Sequence, residues 1–234
     1  MRRRDRGRGP WCRFSDVIRT DGRNGLELLT GTNEETIVAD ALYLSLWYPN
    51  FEVDEMLPRA LSVMRQFPFS TQRPGIRYLA LHPVSWTEAT ILEQRFPSGI
   101  PPEQAVLIAA DLLHEDYAYV FEAAWDLWIF SDEQRQWVRE PSLVRFVAHG
   151  VEFEDGIYQQ EGHIEVDFGD DSSFLQESAE LTPKAEDQVR SNVQKLVEFI
   201  TKAETSSGAS ARLLWSDSEE NLAQKLIARL QKVQ

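Results

Sequence analysis

A chain of 234 residues with 42% apolar and 11% aromatic content has enough apolar surface for a sizeable core, which argues against global disorder. No apolar run approaches the roughly 20 residues needed to cross a bilayer, and the single cysteine, Cys12, excludes an intrachain disulfide and fits a reducing, cytoplasmic compartment. The formal charge is −14, but residues 1–13 hold six Arg and one Asp, so the body that follows carries −19. Such a body repels nucleic acid, anionic membranes and acidic substrates, and suits basic partners or simple solubility.

Residues 1–36 read as a basic, mostly unstructured N-terminal segment. It is rich in Arg and Gly, and no apolar segment follows the arginines, so a secretory signal is not expected. This arm is the only part suited to nucleic acid.

Residues 37–130 form a first predicted half. Ala39 to Tyr48 alternates as a strand, with Leu42, Leu44 and Leu46 on one face and Tyr43 and Trp47 on the other. Val53, Met56, Leu57, Ala60, Leu61 and Met64 recur at helical spacing up to Phe67. Ile76 to Val84 and Thr90 to Phe96 are two further strands, and Pro97-Ser98-Gly99 breaks the chain. Pro101-Pro102-Glu103 opens a helix, with Ala105, Val106, Ala109, Leu112 and Leu113 as its buried stripe. A strand from Tyr117 runs towards Phe130. The order strand, helix, strand, strand, helix, strand is that of a ferredoxin-like, split βαβ unit.

Residues 131–234 form the second predicted half. A turn at Ser131 to Gln134, a short strand at Trp137, and strands at Leu143 to Phe153 and Gly162 to Phe168 lead to a long helix opened by Thr182-Pro183. A strand at Arg212 to Trp215 and a capping box, Ser216 with Glu219, precede a last helix bearing Leu222, Ala223, Leu226, Ile227 and Leu230. The expected class is α+β: two ferredoxin-like halves with antiparallel sheets and helices on one face, the second half rearranged because its extra helix is terminal.

The two halves share a run. Arg77-Tyr78-Leu79-Ala80-Leu81-His82 and Arg145-Phe146-Val147-Ala148-His149 both read Arg, aromatic, aliphatic, Ala, His, allowing one gap. A modest preference for duplication follows, and the gap leaves open whether the two histidines point the same way.

Three groups of residues are candidates for chemistry. His163, Glu165 and Asp167 alternate on one strand face, and with His149 on the preceding strand they compose a set suited to a divalent metal. Ile164, Val166 and Phe168 would be the buried face of that strand, so the polar three fit the wetted face of a half-exposed sheet better than a metal site. His114-Glu115-Asp116 has the composition of an acid–base cluster at a helix end. Trp47, Tyr48, Trp86, Trp125, Trp128 and Trp137 fall on strands or their ends, and exposed aromatics beside acids compose a protein-binding surface. The sequence has no Gly-rich phosphate loop, no Cys-based metal spacing and no nucleophile elbow.

The expected function is therefore a non-enzymatic protein-binding module, immunity- or adaptor-like, with a basic protein partner and no cofactor. Alternatives are a metal-dependent hydrolase built on His149, His163, Glu165 and Asp167, and a small-ligand carrier with its cavity between two sheets.

Overall fold

The computed structural model describes residues 40–131, 133–175, 181–216 and 222–231. The basic arm with Cys12, and Glu219 of the expected capping box, lie outside these residues. The class is α+β, with six α-helices and seven strands in one antiparallel sheet among the described residues. No described helix is long and apolar enough to cross a membrane.

Seven strands are ordered β3-β2-β4-β5-β6-β1-β7. They are β1 (Ala41–Trp47), β2 (Ile76–Pro83), β3 (Leu92–Ile100), β4 (Tyr117–Ser131), β5 (Gln136–His149), β6 (Ile164–Asp170) and β7 (Ala211–Ser216). This order corrects the split βαβ expectation. In that topology the first strand would pair with others of its own half. Here β1 pairs with β6 and β7, so the two expected halves share one sheet. The described residues form one sheet and not the two between which a cavity was expected.

The shared run also proves to be out of register. Tyr78 lies level with Glu122 and Arg145, and Leu79 with Phe121 and Phe146. A one-residue offset flips every side chain to the other face. Arg145 therefore shares a face with Tyr78, and the match in sequence is not a match in space. Only the histidines coincide: His82 and His149 both lie opposite Ala118 and point to the same side.

One sheet face carries the main core. Leu42, Leu44, Leu46, Leu79, Leu81, Phe121, Phe146, Ile164 and Val166 are buried there. Against them pack α1 (Val53–Met64), α2 (Pro102–Ala110), the short α4 (Ser172–Leu175), α5 (Pro183–Ser207) and α6 (Leu222–Leu230). The α5 ends follow the sequence signals: the Thr182 hydroxyl accepts a 3.3 Å bond from the Ala185 N–H, Pro183 fills the first turn, and Gly208 closes the helix left-handed. On α6, Leu222 and Leu226 are buried as expected, whereas Ile227 is exposed.

Two strand boundaries differ from expectation. The break at Pro97-Ser98-Gly99 is a bulge within β3, since Ile76 pairs with Ile100 but Tyr78 pairs with Arg95. A bulge with proline on an edge strand guards it against further pairing. The segments at Trp137 and Leu143 are one strand, β5, paired without interruption to β4 from Gln136 to His149. Pro141 is tolerated because β6 pairs only with Arg145–Ala148, leaving β5 without a second neighbouring strand at Pro141 among the described residues.

Candidate functional site

The opposite sheet face is covered at one end by loops. Its small core comprises Ala80, Ala118, Val120, Val147 and Phe153, with Tyr78, Trp86 and Ile157 packed on it. The loops are 84–91 after β2, 111–116 leading into β4, and 150–163 after β5, the last containing a 3-10 turn (Phe153–Asp155) and the short α3 (Tyr158–Glu161). They are knitted by backbone bonds: Val84 N–H to Asp116 O at 2.7 Å, Glu154 N–H to Val84 O at 2.8 Å, Gly150 N–H to Tyr117 O at 2.9 Å and Glu152 N–H to Glu115 O at 3.0 Å.

Backbone strain gathers at the same place. Val84 has φ of 58°, and Glu154 and Asp155 have 48° and 53°, conformations that L side chains adopt rarely and β-branched ones least. Gly150 is required for another reason: a Cβ there would stand 2.1 Å from the Glu115 carbonyl oxygen. Val84→Gly is expected to relieve about 1 kcal/mol of strain and raise Tm, because Val84 is 54% exposed and little packing is lost. A fall in Tm would show that the left-handed turn is not strained.

Charge is concentrated here too. The three loops contain eight acids, Glu88, Asp111, Glu115, Asp116, Glu152, Glu154, Asp155 and Glu161, and no Lys or Arg. Val84 and Ile91 (45% exposed) add an apolar element at this end. His114, expected near acids, hydrogen-bonds Asp116 through Nδ1.

Behind the loops sit the histidines. The Trp86 ring meets His82 at 5.0 Å, His149 at 6.0 Å and Phe153 at 4.9 Å, each edge-on. His149 is fully buried, and its Nδ1 lies 2.9 Å from the Gly162 carbonyl oxygen. A carbonyl only accepts, so Nδ1 carries the proton and Nε2 presents a lone pair. That Nε2 has no hydrogen-bond partner among the described residues and stands 3.8 Å from Glu161 Oε2. Burial lowers the His149 pKa to about 4, with the Gly162 bond opposing and His163 assisting. Burial, and then the charge of Glu154, raises that of Glu161.

His163 is used differently. Its Nδ1 accepts the Tyr48 N–H at 3.0 Å, and its ring stacks between Phe51 (4.2 Å) and Tyr158 (4.6 Å). Burial lowers its pKa to about 4. Glu165 is buried on the same sheet face, opposite Val147. Asp167 accepts from the Gly169 N–H at 2.8 Å and lies 3.6 Å from Arg145, which also bonds Glu122 at 2.8 Å. Of the expected metal set, His149 and His163 each engage Nδ1 with backbone, and Asp167 faces a guanidinium. Among the described residues no group of three or more His, Cys, Asp or Glu is arranged to hold a metal.

The six aromatics do not make one patch. Trp125 and Tyr48 are buried, which removes them from any binding surface; Trp125 packs against Phe67 and Phe168, and Tyr48 hydrogen-bonds Ser207 at 3.0 Å. Both point to the helix-covered core. Trp47 is half-buried and donates to the Tyr158 carbonyl at 2.9 Å. Trp128 and Trp137 are half-buried in the outer part of the β4–β5 hairpin, Trp137 against Phe130. Trp86 lies within the acidic loops, and Trp47 touches them through its bond to Tyr158. A separate cleft of about 290 Å³ lies on the helix side, lined by Gln66, Pro68, Gln194, Lys195, Glu198 and Lys202.

Comparison with protein-family models, with curated proteins and with solved structures gave no match.

Proposed function

We propose that this chain is a non-enzymatic protein-binding module with a basic protein partner, in the manner of an immunity or adaptor protein. The observation that carries the proposal is the segregation of charge: eight acids and no Lys or Arg in three loops bonded together at one end of the sheet. Exposed Val84 and Ile91 supply apolar contact there. Complementary charge of this kind steers association and sets specificity more than it sets affinity. A metal-dependent hydrolase has less support, since the His163 Nδ1 lone pair is taken by the Tyr48 N–H and no group of three His, Cys, Asp or Glu among the described residues is arranged to hold a metal.

Affinity capture from the host extract tests this. At an ionic strength of about 0.01 M, where the Debye length is about 30 Å, the immobilised chain should retain a narrow set of basic proteins. These should be released at about 0.15 M or above. Retention of nothing, or of a set no more basic than the extract, contradicts the proposal.

A further inference from the structure

We infer that the acidic end holds a cationic side chain of the partner, an arginine or lysine, between the carboxylates of Glu154 and Glu161 beside Trp86. This rests on the basic-partner proposal and names the chemistry of the contact.

Glu154 is fixed first. Its Oε2 accepts the Trp86 backbone N–H at 2.8 Å, which holds the carboxylate against the loop after β2. Glu161, on α3, is near enough for its proton affinity to feel the Glu154 charge. Neither carboxylate has a Lys or Arg ion-pair partner among the described residues.

The second observation is independent of the acids. His149 Nε2 is buried, has no donor among the described residues, and faces Glu161 Oε2 across 3.8 Å. The tautomer is fixed by Gly162, so a lone pair confronts a carboxylate. The buried Nε2 lacks a donor among the described residues and the group it faces is itself an acceptor; leaving a buried acceptor unsatisfied costs about 1–3 kcal/mol. A guanidinium or ammonium brings several N–H donors together with the charge that two adjacent carboxylates attract. Glu161 is partly exposed, at 34% of its side chain, so such a group reaches it from solvent. The alkyl stem of the incoming residue would lie along the exposed Val84, whose carbonyl accepts the Glu154 N–H.

The test uses the full chain and two peptides, hexa-arginine and hexa-citrulline, which match in shape and differ in charge. Hexa-arginine should bind at about 0.01 M ionic strength and hexa-citrulline should not. The pair Glu154→Gln with Glu161→Gln should weaken binding at least about tenfold, equivalent to about 1.4 kcal/mol. The equally neutralising pair Glu186→Gln with Glu198→Gln on α5 should change it less than about threefold. Equal weakening by both pairs overturns the site and leaves the basic-partner proposal standing. No binding of hexa-arginine overturns both. Should the first pair fail to fold, the unmodified chain decides: the ¹⁵N resonance of His149 Nε2 should move as hexa-arginine is added. An unmoved resonance at saturation, as for a proton or an inorganic cation satisfying the pair instead, overturns the inference.

Discussion

Replacing Trp125 with alanine is expected to lower stability by about 3–5 kcal/mol, a large share of what a domain has. The indole is fully buried and stacks on Phe67 at 5.4 Å and Phe168 at 5.4 Å, with Phe174 at 5.8 Å. It therefore ties three segments of the core together: the turn after α1, β6 and α4. Removing it leaves a cavity that these rings cannot fill without moving, and residual cavity volume adds to the lost transfer energy. Trp125→Phe separates packing from polarity. The indole Nε1 is buried without a hydrogen-bond partner among the described residues, so phenylalanine loses area but also removes an unsatisfied donor. Its cost should stay below about 1.5 kcal/mol. Urea midpoints for the two variants measure this; a loss with phenylalanine as large as with alanine would mean that the indole nitrogen has a partner.

The second large effect is acid destabilisation through His149 and His163. Both are neutral in the fold, with pKa lowered to about 4 by burial, against about 6.5 in an unfolded chain. Between pH 6.5 and 4 the unfolded state binds more protons than the folded one, so stability falls as pH falls through this window. Each histidine contributes a slope of up to about 1.4 kcal/mol per pH unit, and together several kcal/mol by pH 4. Glu161 and Asp167 oppose this towards the acid side, since burial raises their pKa and the folded state then holds their protons more tightly. Asparagine at both positions keeps a group able to stand in for Nδ1, donating to Gly162 at one site and accepting from Tyr48 at the other, but does not titrate. The chain with His149→Asn and His163→Asn should lose stability more slowly between pH 7 and 5 than the unmodified chain. Parallel curves would place the acid sensitivity elsewhere.

Local structure was legible in the sequence where period and end signals agreed. Leu42, Leu44 and Leu46 specify both the strand and its buried face, and Thr182-Pro183 with Gly208 bounds α5 at both ends. Pairing between strands distant in sequence was not legible. Nothing in residues 41–47 says that β1 will lie between β6 and β7, because alternation specifies a face and not a neighbour. The repeated run misled for a related reason. A gap of one residue is small on paper but reverses the faces of a strand, so Arg145 faces as Tyr78 does, while Phe146 sits in the core level with Leu79. Trp125 and Trp128 did follow alternation: their odd spacing sends one to the core.

The candidate site was visible only in part. Trp86 and His149 stood out singly. Val84, Glu154 and Glu161 did not, since an exposed valine and two glutamates carry no pattern of their own. One usable signal was present: residues 96–134 and 146–183 contain no Lys or Arg at all. Such runs mark where acids will go unneutralised along the chain, and the topology then brings parts of both to one end of the sheet.

That end is the centre of the account, and hydrogen exchange with and without hexa-arginine tests it most directly. Exchange should slow within residues 84–91, 111–116 and 150–163 and remain unchanged along α5 and the outer β4–β5 hairpin. Slowing that is spread evenly over the surface, or concentrated on the helix-covered side, would contradict it.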